Sequence, residues 1–295
     1  MLFILNPNAG QRKANKYLAD ILAIFNGADY EVSVFVTSGQ GQAKEMAKGK
    51  AGEVDLIVCC GGDGTYNETM AGLLESGEDI PIGYIPAGST NDFASSLGLP
   101  TDPLEAAKAI AYGNVQYYDV GSFGGRYFAY VASFGAFTRA SYATPQSIKN
   151  SLGHMAYLLE GIQELSQIKT HHLRFETGEE VIEDDFLFGA ICNSTSLGGI
   201  LKLDPSVVDM QDGKFELILV RAPKDIMELT ACLQAVQTKK YNCKMITFLN
   251  TGDLRVIAPE EMPWTIDGEK EEGRWAIEVK NLQQAIGIMC GGQER

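Results

Sequence analysis

The sequence predicts two domains: an α/β N-terminal domain with a parallel sheet and helices on both faces, and a mainly-β sandwich C-terminal domain. Three observations support this expectation. The chain has 295 residues, of which 45% are hydrophobic, so it can bury a substantial core. Short apolar runs alternate with amphipathic runs in its first part, as in repeated strand–helix units. From about Val115 onward, strand-like segments predominate instead.

The first part of the chain alternates between predicted strands and predicted helices. Its strands are apolar throughout, which is typical of a parallel sheet covered on both faces. Ligands of such sheets bind beyond the carboxyl ends of the strands, so we expect function in the loops there. The predicted strands are Leu2–Leu5, Glu31–Val36, Val54–Cys60 and Ile82–Ile85, and the predicted helices are Lys13–Phe25, Gln42–Lys48, Thr65–Leu74, Thr90–Leu97 and Leu104–Ala111.

The second part opens with two predicted strands, Gln116–Ser122 and Arg126–Ser133, on either side of a hairpin-like Phe123-Gly124-Gly125. We place an α/β domain at 1–122, a β-rich domain at 123–286, and a C-terminal tail at 287–295 that we expect to return to the first domain. Two helices are predicted near Ser151–Gln167 and Lys224–Thr238. Further strands are predicted at Leu173–Glu176, Asp185–Ile191, Lys214–Val220, Met245–Leu249, Leu254–Ala258, Arg274–Val279 and Ala285–Met289.

Charge and composition exclude several classes of protein. A formal net charge of −14 argues against nucleic acid as a partner and against broad adhesion to an anionic bilayer. The six cysteines form no C-x-x-C pair, and no apolar run approaches the roughly 18 residues that a spanning helix needs. We therefore expect a soluble, cytoplasmic protein whose membrane contact is local.

Gly61-Gly62-Asp63-Gly64-Thr65-Tyr66-Asn67 follows a predicted strand and opens a predicted helix. Its glycines allow backbone amides to converge on a phosphate without obstruction by side chains. Neither the P-loop lysine nor the G-x-G-x-x-G frame of dinucleotide sites is present. The alternative is a tight strand-to-helix turn in which Asp63 acts as a helix cap.

Three more loops have the same design. They are Asn6-Pro7-Asn8-Ala9-Gly10, Thr37-Ser38-Gly39, and Pro86–Asp92, which contains Gly88, Ser89 and Asn91. Each alone could be only a helix cap. Four such loops at one end of a sheet favour an anion site, such as one for a nucleoside triphosphate.

Two acidic segments of the second domain are candidate sites. Asp267-Gly268-Glu269 follows an apolar segment, and its glycine could turn Glu269 into a cleft, where partial withdrawal from water would make it a better base. A hairpin turn with a solvated Glu269 is the alternative. Asp209 and Asp212 could bind magnesium, or Asp212-Gly213 could form a plain turn.

Together these motifs resemble those of the diacylglycerol kinase catalytic family, which includes sphingosine and ceramide kinases. The resemblance covers nearly the whole chain, and the segment Tyr142–Leu165 is most similar to the soluble bacterial members. The motifs are Asn6–Gly10, Gly61–Glu68, Gly88–Phe93, Asp119–Gly121, Cys192–Ser194, Gly198-Gly199, Asp212-Gly213 and Asp267–Glu269.

The resemblance implies an NAD-kinase/phosphofructokinase-like α/β domain that binds ATP and a β-sandwich domain for the lipid. Glu269 would be the general base, and Asp63, Asp92 and Asp119 would form an acidic network linked to Mg²⁺. Asp212 would bind a structural magnesium with backbone carbonyls of Asp209 and Lys214. The residues that would contact ATP are Asn6, Pro7, Asn8, Ala9, Gly10, Thr37, Gly61, Gly62, Asp63, Gly64, Thr65, Tyr66, Asn67 and Ser89.

The resemblance also implies an activity, in which the γ-phosphoryl group of ATP is transferred to diacylglycerol to give phosphatidic acid. The lipid would be met through transient peripheral contact with a membrane, to which the amphipathic helix near Ser151–Gln167 could contribute. Another lipid alcohol (ceramide, sphingosine or phosphatidylglycerol), NAD kinase and a non-catalytic nucleotide-binding regulator remain as alternatives, and a homodimer stays open. Gly88–Asp92 argues against NAD kinase, and the retained carboxylates argue against a regulator.

Overall fold

The computed structural model describes residues 1–135, 169–197, 201–239, 241 and 243–291. The chain divides into two compact units. Unit 1 comprises Met1–Asp119 together with the C-terminal residues from Gln284, and unit 2 comprises Val120–Gln283. The predicted lipid-facing helix near Ser151–Gln167 and the motif Gly198-Gly199 lie outside the described residues.

Unit 1 contains a parallel sheet in the order β17-β4-β3-β1-β2, so the predicted α/β class is confirmed. Its described strands are β1 (Leu2–Leu5), β2 (Ser33–Val36), β3 (Ile57–Gly61), β4 (Ile82–Pro86), the first part of β5 (Asn114–Phe123) and the last part of β17 (Ala276–Cys290). Its described α-helices are α1 (Lys13–Gly27), α2 (Gln42–Lys50), α3 (Asp63–Ser76), α4 (Asp92–Ser96) and α5 (Pro103–Tyr112).

Helices cover both faces of this sheet. On one face, α1 and α5 pack against each other and bury Phe25 and Ile110 against strand residues such as Phe3. On the other face α2 packs against α3, and the ring of Tyr66 in α3 contacts that of Tyr84 in β4. The expectation of strands buried throughout is confirmed for β1, β3 and β4 but is wrong for β2. Strand β2 is exposed because it pairs only with β1 at the sheet edge.

Unit 2 is mainly β, as predicted, and its described strand pairings are antiparallel. The path β16-β15-β7-β9-β8-β14-β17 carries most strands, and β12 joins β9 to β13. The bounds are β6 (Arg126–Phe128), β7 (Val131–Gly135), β8 (His171–Thr177), β9 (Val181–Cys192), β10 (Ser196–Leu197), β11 (Leu201–Lys202), β12 (Phe215–Arg221), α6 (Ile226–Gln237), β13 (Ile246–Thr251), β14 (Leu254–Ile257), β15 (Trp264–Ile266) and β16 (Glu269–Glu271).

Trp264 lies at the centre of the apolar core of unit 2. Its indole is 1% exposed, and its ring centroid lies 4.7 Å from that of Phe123 and 5.0 Å from that of Phe134. Strands that contribute alternate side chains to such a core bury one face of the sheet. Aromatic pairs at these distances stabilise the core beyond the area that they bury.

Two strand boundaries in unit 2 differ from the prediction. The expected strand Arg126–Ser133 is divided into β6 and β7, because the amides of Ala129, Tyr130 and Val131 bind the carboxylate of Asp267. The two strands predicted between Arg274 and Met289 are one strand, β17. The chain continues in extended form past a local bend at Gln284, where φ is 50°.

Gly72 of α3 provides a test of how closely α2 and α3 approach. A methyl group at Gly72 would overlap the main-chain carbonyl oxygen of Lys44 in α2, so Gly72→Ala should lower the free energy of unfolding by about 1–3 kcal/mol despite alanine's higher helix propensity. Gly49→Ala in α2 is the matched control, since no described atom lies within 4 Å of that added carbon. The control should be neutral or stabilising by up to about 1 kcal/mol. Equal effects in urea unfolding would contradict the close approach.

Candidate active site

The four loops singled out from the sequence follow the carboxyl ends of neighbouring parallel strands. Leu5, the last residue of β1, is aligned with Val36 at the end of β2 and with Cys60 in β3. Gly61 at the end of β3 is aligned in turn with Pro86 at the end of β4. All four loops therefore leave the same edge of the sheet, within unit 1.

Three of these loops pack backbone against backbone. A methyl group added at Gly88 would lie 2.6 Å from the Cα atom of Gly62, and one added at Gly10 would overlap the carbonyl oxygen of Ala87. The amide of Ala87 also donates a hydrogen bond to the carbonyl oxygen of Gly61 at 2.7 Å. Glycine is required here because the neighbouring main chain occupies the space of a side chain.

The glycine loop leads directly into the first turn of α3. The first intrahelical bond runs from the amide of Tyr66 to the carbonyl oxygen of Gly62, so the amides of Asp63, Gly64 and Thr65 precede it and have no partner within the helix ladder. Asn6 in the first loop is tied to this turn, since its Nδ2 donates to Thr65 Oγ1 at 3.0 Å. Free amides at the start of a helix attract phosphate oxygens.

Asp63 caps a helix, but the helix is α4 rather than its own. Its Oδ2 accepts a hydrogen bond from the amide of Asp92 at 3.1 Å and its Oδ1 accepts one from the amide of Phe93 at 3.3 Å. Burial, and then the nearby charge of Asp92, raise the pKa of Asp63 to about 6. Asp63 therefore caps α4 and also interacts electrostatically with the neighbouring carboxylate of Asp92.

The Asp63–Asp92 pair fits a magnesium ion only in a particular way. The two carboxylates repel each other in a poorly solvated site, and a cation would relieve that repulsion. Within residues 1–135, 169–197, 201–239 and 243–291, no three His, Cys, Asp or Glu side chains are placed to hold a metal together. Magnesium commonly binds through one or two carboxylates, water and phosphate oxygens, and this pair suits that mode.

Glu68, which the sequence analysis gave no role, caps a second neighbouring helix. Its Oε1 accepts a hydrogen bond from the amide of Gly41 at 2.7 Å and its Oε2 accepts one from the amide of Ala43 at 3.3 Å, at the start of α2. Two side chains of α3 therefore cap neighbouring helices: Asp63 caps α4 and Glu68 caps α2. In the sequence, Glu68 could have been noticed as a second acidic residue of the glycine motif, five residues after Asp63.

The remaining residues predicted to contact ATP differ in their exposure. Ser89 and Asn8 are exposed, and the amide of Asn8 donates to Asn6 Oδ1 at 3.1 Å. Thr37 is buried, with both its amide and its hydroxyl bound to the carbonyl oxygen of Leu5. The fully buried ring of Tyr66 contacts aromatic neighbours, so any nucleotide contact from this residue would come from its main chain.

Asp119, the third member of the predicted acidic network, is 1% exposed. Its Oδ1 accepts a hydrogen bond from the amide of Gln284 at 2.7 Å. Gln284 has a left-handed backbone with φ of 50°, so this bond stabilises a conformation that is unfavourable for a residue with a side chain. Asp119 therefore has a structural function in unit 1 whatever its relation to a metal.

In unit 2, Asp267 fixes the turn that carries Glu269. Its buried carboxylate accepts hydrogen bonds from three successive amides, those of Ala129 at 2.6 Å, Tyr130 at 3.0 Å and Val131 at 2.9 Å. Both Asp267 and Gly268 have positive φ, of 48° and 81°, as a tight two-residue hairpin requires. The alternative of a hairpin turn is therefore correct for the backbone, and Glu269 lies at the first position of β16.

Glu269 lies in an ionic environment rather than an apolar one. Its side chain is 44% exposed, and its Oε2 accepts a hydrogen bond from the guanidinium of Arg126 at 2.7 Å. Its carboxylate is thus only partly withdrawn from water and lies beside a cation, and its role as a base stays a prediction. Arg126 was not recognised from the sequence because it lies 143 positions from Glu269.

The turn Asp209–Lys214 combines two aspartates with a buried glutamate that the sequence analysis missed. Asp209 Oδ1 accepts from the amide of Gln211 at 3.0 Å and Asp212 Oδ1 accepts from the amide of Lys214 at 2.9 Å, as in plain Asx turns. Glu216 is fully buried, and neither carboxylate oxygen has a hydrogen-bond partner among the residues that the structure describes.

Burial, together with the charges of Asp212 and Asp209, raises the pKa of Glu216 to about 8. A buried carboxylate without partners is costly when it is ionised, so a cation beside it would be stabilising. The structural cation at Asp212 stays a prediction: the buried carboxylate of Glu216 favours one, but no three such side chains of the described residues are placed to hold a metal together. The signal in the sequence was a single acid within the apolar strand FELILVR.

Comparison with known proteins identifies the family. Residues 1–123 match the family model of the diacylglycerol kinase catalytic domain, and residues 131–290 match that of the YegS C-terminal NAD kinase beta sandwich-like domain. A diacylglycerol kinase of Bacillus subtilis strain 168 is 32% identical over 97% of this chain and 94% of its own length. One of Staphylococcus saprophyticus is 35% identical, over 97% and 93% respectively.

A solved structure shows the same architecture. A crystal structure of a candidate diacylglycerol kinase from Bacillus anthracis strain Sterne has a TM-score of 0.81 at 26% identity and covers 98% of this chain and 94% of its own. The fold and the relatives define the class as lipid kinases, for which ATP is the implied phosphoryl donor. The chain belongs to the diacylglycerol kinase family.

No described helix is both long enough and apolar enough to cross a bilayer. The helix near Ser151–Gln167, which was predicted to help admit the lipid, lies outside the described residues, and the assignment of the β-rich domain to the lipid stays a prediction.

The raised pKa of Asp63 predicts a pH dependence of stability. Because its pKa is higher in the folded protein (about 6) than in the unfolded chain (3.8), this group favours folding most below about pH 4 and loses that contribution as pH rises through 6. Relative to Asp63→Asn, the wild type should therefore lose about 2 kcal/mol of unfolding free energy between pH 4 and pH 7.

The measurement is urea unfolding in chelator, so that metal binding does not contribute. Asp79→Asn, at an exposed position, controls for the change in net charge. Parallel stability curves for the wild type and Asp63→Asn across this range would contradict the buried, charge-coupled environment of Asp63.

Proposed function

We propose that this lipid kinase transfers the γ-phosphoryl group of ATP to the hydroxyl group of diacylglycerol and releases phosphatidic acid. The observation that carries the proposal is the contact of the glycine loops at one sheet edge, where the start of α3 and the Asp63–Asp92 pair lie together. The names of the full-length relatives support diacylglycerol as the acceptor.

In this proposal unit 1 binds the nucleotide mainly through its backbone. The amides at the start of α3 would bind phosphate oxygens, and Asn6, Thr37 and Ser89 would contribute polar contacts from the neighbouring loops. When bound, magnesium would neutralise charge on the phosphates. Asp63 and Asp92 would hold that ion or its water ligands, which explains why the loop needs no lysine.

Glu269 would accept the proton of the attacking lipid hydroxyl. As the hydroxyl oxygen bonds to the γ-phosphorus, its proton passes to the Glu269 carboxylate, and the bond from phosphorus to the bridging oxygen breaks to leave ADP. Arg126 donates a hydrogen bond to this carboxylate at 2.7 Å and would restrict its orientation. Diacylglycerol has the primary alcohol that this chemistry requires.

The lipid acceptor would be met at a membrane surface. Extraction of acyl chains into water costs about 0.8 kcal/mol per methylene, so the enzyme would go to the bilayer rather than wait for free lipid. A cytoplasmic location with transient peripheral contact follows, and with a net charge of −14 that contact would be local. A homodimer remains a prediction of the sequence alone.

A transfer assay tests the function directly. ATP labelled at the γ-phosphate, offered with diacylglycerol, ceramide, sphingosine, phosphatidylglycerol and NAD in mixed micelles, should label phosphatidic acid. Labelled NADP would favour the alternative that the family description of the second domain raises, and a different labelled lipid would replace diacylglycerol as the acceptor.

Glu269→Gln should lower turnover by about 100-fold or more while ATP still binds, because the amide cannot accept the proton. Glu272→Gln, three residues away and exposed, is the matched control and should remain active. Retention of most turnover by Glu269→Gln would remove this residue from the chemistry, whatever lipid is labelled.

The turn at Asp212 predicts stabilisation by magnesium. Asp212→Ala should lower the melting temperature more in magnesium than in chelator, where only its bond to the amide of Lys214 is lost, since only the folded protein offers the site; saturation at 100 times Kd is worth about 2.7 kcal/mol. Asp204→Ala is the control, because Asp204 caps a short helix through Ser206 and its loss should cost the same in both buffers. Equal losses for Asp212→Ala in the two buffers would identify a plain turn.

A further inference from the structure

Arg126 joins two acidic side chains of the strand that carries the proposed base. One terminal nitrogen donates to Glu269 Oε2 and the other donates to Glu271 Oε2, each at 2.7 Å. The planar guanidinium suits this arrangement, because its two N–H groups diverge at a fixed angle. Arg126 lies on β6 and Glu269 on β16, so the bond links two strands of unit 2.

The main chain at Glu269 is already fixed by other contacts. The three amides bound to Asp267 hold the turn, and Ile266 pairs with Glu269 across the hairpin. The Glu269 side chain is 44% exposed, and its Oε2 accepts the bond from Arg126. A long exposed side chain samples several rotamers, and a strong ionic contact at its end selects among them.

Arg126 is itself held in place from the other side. Glu271, its second partner, is only 17% exposed and also accepts a hydrogen bond from Arg274 at 3.4 Å. Arg274 in turn donates to the carbonyl oxygen of Gly124 at 3.0 Å. The guanidinium of Arg126 is thus held by Glu271, the more buried of the two glutamates, while it donates to Glu269, the more exposed one.

We propose that Arg126 is a positioning residue that sets the orientation of the Glu269 carboxylate for proton transfer. The inference rests on the proposed role of Glu269 and extends it to a residue outside the acidic motif. Because Arg126 acts through Glu269 and not on the nucleotide, its loss should reduce kcat and leave the KM for ATP and for the lipid nearly unchanged.

The test compares kinetics of four variants in full-length protein with ATP and diacylglycerol. Arg126→Met should reduce kcat about 10- to 100-fold with both KM values within about threefold, and Arg126→Lys, which restores one charge, should recover part of the loss. Arg274→Met removes a neighbouring guanidinium that bonds Glu271, and it should stay within about threefold of wild type. Glu269→Gln serves as the reference for complete loss of the base.

The outcomes separate the inference from the function on which it rests. A normal kcat in Arg126→Met, together with an inactive Glu269→Gln, would overturn the positioning role alone. A raised KM for ATP at unchanged kcat in Arg126→Met would also overturn it, because that result would indicate a phosphate contact. An active Glu269→Gln would overturn the proposed role of the base itself. If Arg126→Met fails to fold, as judged by its thermal transition, wild-type kcat in Arg126→Lys and in Glu271→Gln together would overturn the inference.

Discussion

The contact of main chain with main chain at the sheet edge is the constraint on which unit 1 depends. Gly62 and Gly88 leave no space for a side chain between their loops, and Gly10 approaches Ala87 in the same manner. The result is a surface made of backbone, and a backbone surface can bind an anion only through amides. A lysine in place of Gly10, Gly62 or Gly88 would need room that this packing does not provide.

Helix α3 begins at this contact and fixes the arrangement of two neighbouring helices. Its carboxylates at Asp63 and Glu68 bind the amides at the starts of α4 and α2. Each bond satisfies amides that the capped helix cannot satisfy itself. The burial of Asp63 beside Asp92 has an energetic cost, which appears as the raised pKa of Asp63. Such a cost is tolerated where a bound cation would remove it.

The sequence predicted the periodic features well because they depend on near neighbours along the chain. Apolar strands, amphipathic helices and glycine at strand ends are all local signals, and they were sufficient to predict the α/β class and the four loops. Glu269 and Asp212 were suggested by resemblance to a family, and the structure shows their surroundings without testing their roles.

The residues that the sequence did not reveal are those whose function depends on distant partners. Arg126 contacts Glu269 across 143 positions, and Asp267 binds amides 136 to 138 positions away. Periodicity contains no information on such pairs. The division of one predicted strand into β6 and β7 has the same origin, since the amides that would have continued the strand bind Asp267 instead.

Carboxylates bound to amides of another segment recur throughout the described parts of this acidic chain. Asp63, Glu68, Asp119 and Asp267 all accept such bonds. Removal of one of these side chains would disturb the backbone as well as any chemistry, so lost activity at Asp63 would not by itself assign a metal role. Glu269 differs, because it binds the side chain of Arg126 and its main chain is fixed independently by Asp267. Substitution at Glu269 therefore separates chemistry from architecture in a way that substitution at the buried carboxylates does not.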